Sequence, residues 1–263
     1  MGRTLPSRPI VFITGASSGI GAALARQYAA QGAVLGLAAR RADQLAVLAA
    51  ALGTPCHCYP LDVADAAALA AAGADFTARA GLPDIVIANA GVSVGTLTQE
   101  AEDLPVFRRV FETNVLGMAH SFQPFVAAMA ARGSGRLVGV ASVAGIRGLP
   151  GAGAYCASKA AAIAYLESLR VELSGSGVRV VTLAPGYIAT PMTAHNPYPM
   201  PFLMAPDAAA RSMARHIARG TRFAVMPWPM ALVAHLLRLL PRPLFDVLAA
   251  RAGRKPRRPG NAL

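Results

Sequence analysis

Hydrophobic and polar positions follow two rhythms along the chain, and the rhythms take turns. Short apolar runs at 10–14, 33–39, 56–61, 84–88, 137–142 and 179–184 have the length of buried strands, and most are rich in β-branched residues. Between them lie longer segments: 22–31 closed by Gly32, 44–52, an Ala-dominated 66–80, one or two helices over 102–130, and 155–173. Strands apolar along their length, each followed by a helix, predict a parallel sheet, because right-handed crossovers lay helices on both of its faces. The expected fold class is α/β, a doubly wound parallel sheet of Rossmann type, as a single domain over 8–222. A C-terminal helical extension over 223–263 follows it.

A chain of 263 residues can bury one sizeable core, and 54% hydrophobic content excludes a disordered polymer. The net charge of +12 is uneven: residues 1–200 carry +3 and residues 201–263 carry +9. The basic end admits a nucleic acid, an anionic membrane surface or a solvated tail. No recognition motif and no stacking aromatics accompany the charges, so a nucleic-acid partner is not expected. Lys occurs only at Lys159 and Lys255, since the chain writes Arg for most of its positive charges. Cys56, Cys58 and Cys156 make no disulfide framework, and Cys56-His57-Cys58 has no second half to complete a metal site, so no metal is expected. No apolar stretch precedes the first strand, so no signal peptide is expected and the location is read as cytoplasmic.

The first strand runs into Thr14-Gly15-Ala16-Ser17-Ser18-Gly19-Ile20-Gly21 and then a helix. Glycines there permit a tight turn and let the backbone approach a pyrophosphate, which sits on the positive end of the helix. The second strand ends in Ala39-Arg40-Arg41 rather than in a carboxylate. An acid would bind a ribose 2′-hydroxyl and repel a 2′-phosphate, whereas Arg binds the phosphate, so the expected cofactor is NADP(H). Asp62, after the third strand, is placed either to contact adenine or to cap a helix. Tyr155 and Lys159 lie four apart on one helical face, and a fixed cation beside a phenol lowers its pKa. Ser142 ends a strand at the edge where a parallel sheet presents its ligands.

Taken in order, these motifs resemble the short-chain dehydrogenase/reductase superfamily over about residues 8–192. The resemblance rests on TGASSGIG at 14–21, Asp62-Val63, Asn89-Ala90-Gly91, Asn114, Ser142, YCASK at 155–159, Pro185-Gly186 and Thr190. Two positions depart from it. Ala88 stands where many members have a first Asn, and Ser18 where some NADP-preferring members have a basic residue, which puts more weight on Arg40. The resemblance implies that Tyr155 is the general acid/base. Lys159 would bind the nicotinamide ribose and depress the Tyr155 pKa, and Ser142 would hydrogen-bond the reacting carbonyl oxygen. Asn114 would hold a proton-relay water, and Thr190 with the backbone of Ile188 would position the carboxamide. Gly15, Ser17, Ser18, Gly19, Ile20, Gly21, Arg40, Arg41, Asp62, Val63, Asn89, Ala90, Gly91, Pro185 and Gly186 would line the cofactor site.

In this family the segment 191–206 folds over the substrate. Here it is apolar and Met-rich, which suits a lipophilic carbonyl or alcohol substrate, although a connection packed on the core reads equally from its prolines. The amphipathic stretch 230–240, with His235 and Arg238 on its polar side, precedes Arg251, Arg254, Lys255, Arg257 and Arg258. It suits an interfacial membrane anchor, a helix packed on the core, or the contact of a homo-oligomer. A different functional class, a non-catalytic nucleotide sensor of the same fold, would have no need of Ser142, Tyr155 and Lys159 together.

Overall fold

In the computed structural model, which describes residues 5–251 and 253–257, the apolar runs pair as parallel strands in the order β3-β2-β1-β4-β5-β6-β7. They are β1 (Ile10–Thr14), β2 (Val34–Ala39), β3 (Cys56–Pro60), β4 (Ile85–Ala88), β5 (Gly135–Val140), β6 (Val178–Pro185) and β7 (Phe223–Met226). The order reverses between β1 and β4, so the loops after those strands diverge and open a crevice at the C-terminal edge of the sheet.

Side chains alternate across each strand, and β1 shows the consequence. Val11 and Ile13 enter one core, where α1 (Gly19–Ala29) adds Tyr28, α2 (Ala42–Leu52) adds Leu45 and α7 (Pro206–Arg219) adds Met213. Phe12 enters the opposite core with Phe76 of α3 (Ala66–Ala80), Phe125 of α5 (Gly117–Arg132) and Leu166 of α6 (Gly153–Glu172). The Phe12 ring lies 5.4 Å from that of Phe76 and 5.1 Å from that of Phe125. Such a buried ring contributes about 3–5 kcal/mol relative to Ala.

Three differences from the sequence expectation bear on the site. α1 spans Gly19–Ala29, so it starts inside the Gly-rich turn, where Gly19 itself has φ +55°. The segment 102–130 forms α4 (Asp103–Phe111), a π-helical turn (Glu112–Leu116) and α5 without a break, and Asn114 sits in the π turn. The sheet also takes in Phe223–Met226, which pairs with β6 from Thr182↔Phe223 to Pro185↔Met226. The core therefore runs past residue 222, and the extension begins with α8 (Trp228–Leu239) and α9 (Arg242–Ala250).

Candidate active site

The turn after β1 is shaped by what approaches it. Gly15 has φ +66°, and a Cβ there would lie 2.7 Å from the Ala90 Cα, so only glycine lets the segment after β4 pack against the turn. Asn89 locks that packing, its Nδ2 donating to the carbonyls of Thr14 at 3.1 Å and Gly15 at 3.2 Å. A Cβ at Gly21 would collide with the Gly15 carbonyl, so this glycine seats the helix against the turn.

Arg40 and Arg41 stand exposed on the rim after β2. Arg41 bends back over the turn, donating to the hydroxyls of Ser17 at 3.0 Å and Ser18 at 2.8 Å. Opposite them, Asp62 accepts from the Ala64 amide at 3.0 Å and pairs with Arg109 of α4. Burial pushes the Asp62 carboxyl up, but the amide and the guanidinium outweigh it and hold the group below the ordinary carboxylate range. The cap of α3 is Asp65, which accepts from Ala68 N at 2.9 Å, so Asp62 remains at the cleft wall.

Ser142 follows β5 and accepts from the Ala144 amide at 3.1 Å. The next turn packs so tightly on α6 that a Cβ at Gly145 would come 2.7 Å from the Lys159 backbone, which fixes Ser142 relative to Tyr155 and Lys159. Lys159 is buried, donates to the Val140 carbonyl at 2.8 Å, and holds its ammonium 5.9 Å from the Tyr155 ring centre. Burial pushes the Lys159 ammonium down to about 8. Burial also pushes the Tyr155 phenol up to about 12, against the pull of a hydrogen bond with Ser142. Ser142 thus opposes the effect of burial on the phenol.

Asn114 is fully buried and its side chain is engaged on three sides. It accepts from Val92 N at 2.8 Å and donates to Val92 O at 3.0 Å and Ser158 Oγ at 2.9 Å. The side chain is a brace between the segment after β4 and α6.

Except for Asn114, which lies behind the wall, and Gly21, which seats the helix, the predicted catalytic and cofactor groups meet at one cleft of about 350 Å³. It is lined by Gly15, Ser17, Ser18, Gly19, Ile20, Arg40, Arg41, Asp62 and Val63 on the turn side. Asn89, Ala90, Gly91, Ser142, Tyr155, Lys159, Pro185, Gly186, Ile188 and Thr190 complete it. The residues fit a dinucleotide. A glycine cradle opens at a helix N-terminus, basic groups stand where β2 ends, and the Thr113 hydroxyl on the cleft wall is buried with no hydrogen-bond partner among the described residues.

Sequence reasoning missed what stands around this cleft. Arg109 gave no signal, because its partner Asp62 is brought to it by the fold. The basic tail, read from sequence as a membrane anchor or a solvated end, is held against the protein over 253–257. Arg257 forks onto Asp103 at 2.8 and 3.2 Å, and Lys255 donates to Ser93 Oγ at 2.6 Å. Arg258 lies outside the described residues. The scarcity of Lys was the signal that could have singled out Lys255.

Residues 9–199 match the family model described as short chain dehydrogenase. The chain is similar to an "Uncharacterized oxidoreductase" of Myxococcus xanthus, 42% identical over 242 residues that cover 91% of this chain and 95% of the relative. It is also similar to a 2-dehydro-3-deoxy-L-rhamnonate dehydrogenase (NAD(+)) of a Sphingomonas species, 38% identical over 180 residues, 68% of this chain and 72% of that one. Among solved structures it resembles the alcohol dehydrogenase of Thermococcus sibiricus complexed with 5-hydroxy-NADP, with a TM-score of 0.73 at 27% identity, covering 83% of this chain and 96% of that one.

Proposed function

The chain belongs to the short-chain dehydrogenase family, and we propose that this oxidoreductase uses NADP(H) to interconvert a ketone or aldehyde and an alcohol on a lipophilic substrate. The observation that carries the reading is the convergence of Ser142, Tyr155 and Lys159 on a cleft whose other half is a dinucleotide cradle. A nucleotide sensor of the same fold would need the cradle alone.

In this reading NADP(H), when bound, supplies or accepts the hydride. Tyr155 gives its phenol proton to the carbonyl oxygen in reduction, and a phenol pushed up to about 12 is fully protonated at neutral pH. Ser142 donates a hydrogen bond to the same oxygen as charge develops on it. Lys159, cationic below about pH 8, holds the nicotinamide ribose and favours the phenolate that forms. Asn114 keeps the Val92 segment and α6 in register around them. Arg40, on the cleft rim, would hold the 2′-phosphate and so supports NADP(H) over NAD(H), while Arg41 steadies the turn. The lipophilic substrate is supported by Met192 on the cleft and by the rings of Tyr187 and Tyr198, 6.3 Å apart beside it. Reduction of ketones of graded chain length, followed as NADPH oxidation, tests the assignment. Turnover that rises with chain length is expected, and turnover with NADH alone would contradict it.

We further propose a cytoplasmic protein with two apolar surfaces in use. Leu104, Phe107 and Leu116 lie exposed on α4 and the π turn, with Phe107 stacked on Phe111, and suit a second copy of the chain. Trp228, Leu232, Leu236 and Leu239 form an exposed stripe on α8, continued by Leu244, Val247 and Leu248 on α9, and suit a peripheral membrane contact. No helix of the described residues is long and apolar enough to cross a membrane.

A further inference from the structure

Arg147, just beyond Ser142, donates its Nε to the Leu237 carbonyl at 2.8 Å and stacks its guanidinium 4.7 Å from the Phe245 ring centre. It pins α8 and α9 to the catalytic loop. The chain then returns across the cleft mouth as a strap over 253–257. Gly253 packs on Tyr198, where a Cβ would lie 2.8 Å from the Tyr198 Cβ. Gly95 N donates to Pro256 O at 3.1 Å, and the backbones approach so closely that a Cβ on Gly95 would meet both Lys255 O and Pro256 O. Arg257 closes the clasp on Asp103, a nearly buried carboxylate that also accepts from Leu97 N at 2.7 Å. This is a built contact between segments 154 residues apart.

What the strap delivers is Lys255. Its ammonium, steadied on Ser93 Oγ at 2.6 Å, lies over the Tyr155 ring, 5.4 Å from the centre. Both lysines of the chain therefore stand against the same phenol ring, although 25 of its residues are Lys or Arg. Lys159 is accounted for by the family's chemistry; Lys255 is not. It lines a side cavity of about 190 Å³ with Arg40, Ser93, Met192, His195, Asn196 and Pro256. That cavity shares Arg40, Gly91, Val92, Pro191 and Met192 with the main cleft, and Lys255 marks its end nearest the Tyr155 ring.

We propose that Lys255 is a specificity-determining residue and that this side cavity takes a carboxylate carried by the carbonyl substrate. The proposal deepens the oxidoreductase reading and rests on it. A compact ammonium among hydrogen-bonding side chains matches a monoanionic carboxylate in so small a space, the Arg40 side of the cavity being left to the cofactor in the proposed reading. The substrate is then an apolar keto acid or hydroxy acid, its chain against Met192 and its acid on Lys255.

The test compares methyl ketones with keto acids of matched length, two to six carbons between the groups, using full-length protein and NADPH. Wild type is expected to favour the keto acid at one or more lengths. Lys255→Met should lower kcat/KM for that acid about 10–100-fold, mostly through KM, and change the neutral ketone less than about threefold. Lys255→Arg should restore part of the loss. NADPH affinity, read by fluorescence, should stay within about twofold, which also shows that the variant is folded. Equal losses on acid and ketone, no loss on either, or a loss of NADPH affinity would overturn the proposal. Failure of the oxidoreductase reading would look different: wild type would reduce neither class.

Discussion

Arg40 and Arg41 are neighbours with different work. Arg41 is tied to Ser17 and Ser18 and holds the Gly-rich turn, whereas Arg40 lines the cleft rim and makes no hydrogen bond to that turn. Arg40→Ala is therefore expected to weaken NADPH about 10–100-fold, the loss of one or two charge-assisted hydrogen bonds, and NADH less than about threefold. Titration of both cofactors checks this, and equal losses would remove Arg40 from 2′-phosphate recognition. Lys159 gives a pH dependence with a definite sign. Burial lowers its pKa to about 8, so its charge is present below that value and lost as pH rises through it. The kcat/KM for ketone reduction should be level up to about pH 8 and then fall, while Tyr155, near 12, adds nothing over the same range. A profile level to pH 10 would contradict the role given to Lys159.

Among elements, the strands were legible wherever a short apolar run was bounded by polar or glycine-rich turns. β4 reads as a strand because Ile85, Val86 and Ile87 are β-branched and buried on both faces. β7 did not read as one, since its four residues merge with the apolar stretch that becomes α8, and periodicity cannot divide so short a run. The π turn is invisible for another reason: its geometry depends on where Asn114 finds partners on the segment after β4 and on α6. α8 and α9 were expected to be amphipathic, and they are, but with little of their apolar face covered: Met230 and Ala234 are buried while Trp228 is 75% and Leu236 66% exposed. If this face meets a membrane, the protein should co-sediment with anionic vesicles, and Trp228→Glu with Leu236→Glu should reduce binding at least tenfold. Because Lys255 and Arg257 are held by the protein, salt should release only part of it. Absence of sedimentation at low salt would assign the face to another partner.

On the scale of the whole molecule, the meeting of Ser142, Tyr155 and Lys159 in one cleft was legible because they occur in compact motifs beside strand ends, where a doubly wound sheet gathers its loops. The strap was not. Gly95 and Pro256, like Asp103 and Arg257, are joined only by the finished fold, and a run of basic residues reads as a solvated tail until its carboxylates are found. The consequence is a site assembled from the whole length of the chain, with the dinucleotide cradle at one end and the C-terminal strap closing over Tyr155 at the other. The central claim is that Tyr155 transfers the proton. Tyr155→Phe keeps the ring that Lys159 and Lys255 flank and removes only the hydroxyl. Measured with NADPH and a ketone that wild type reduces, this variant should bind NADPH within about threefold of wild type and lose about 10²–10⁴-fold in kcat/KM; activity within about tenfold of wild type would contradict the account.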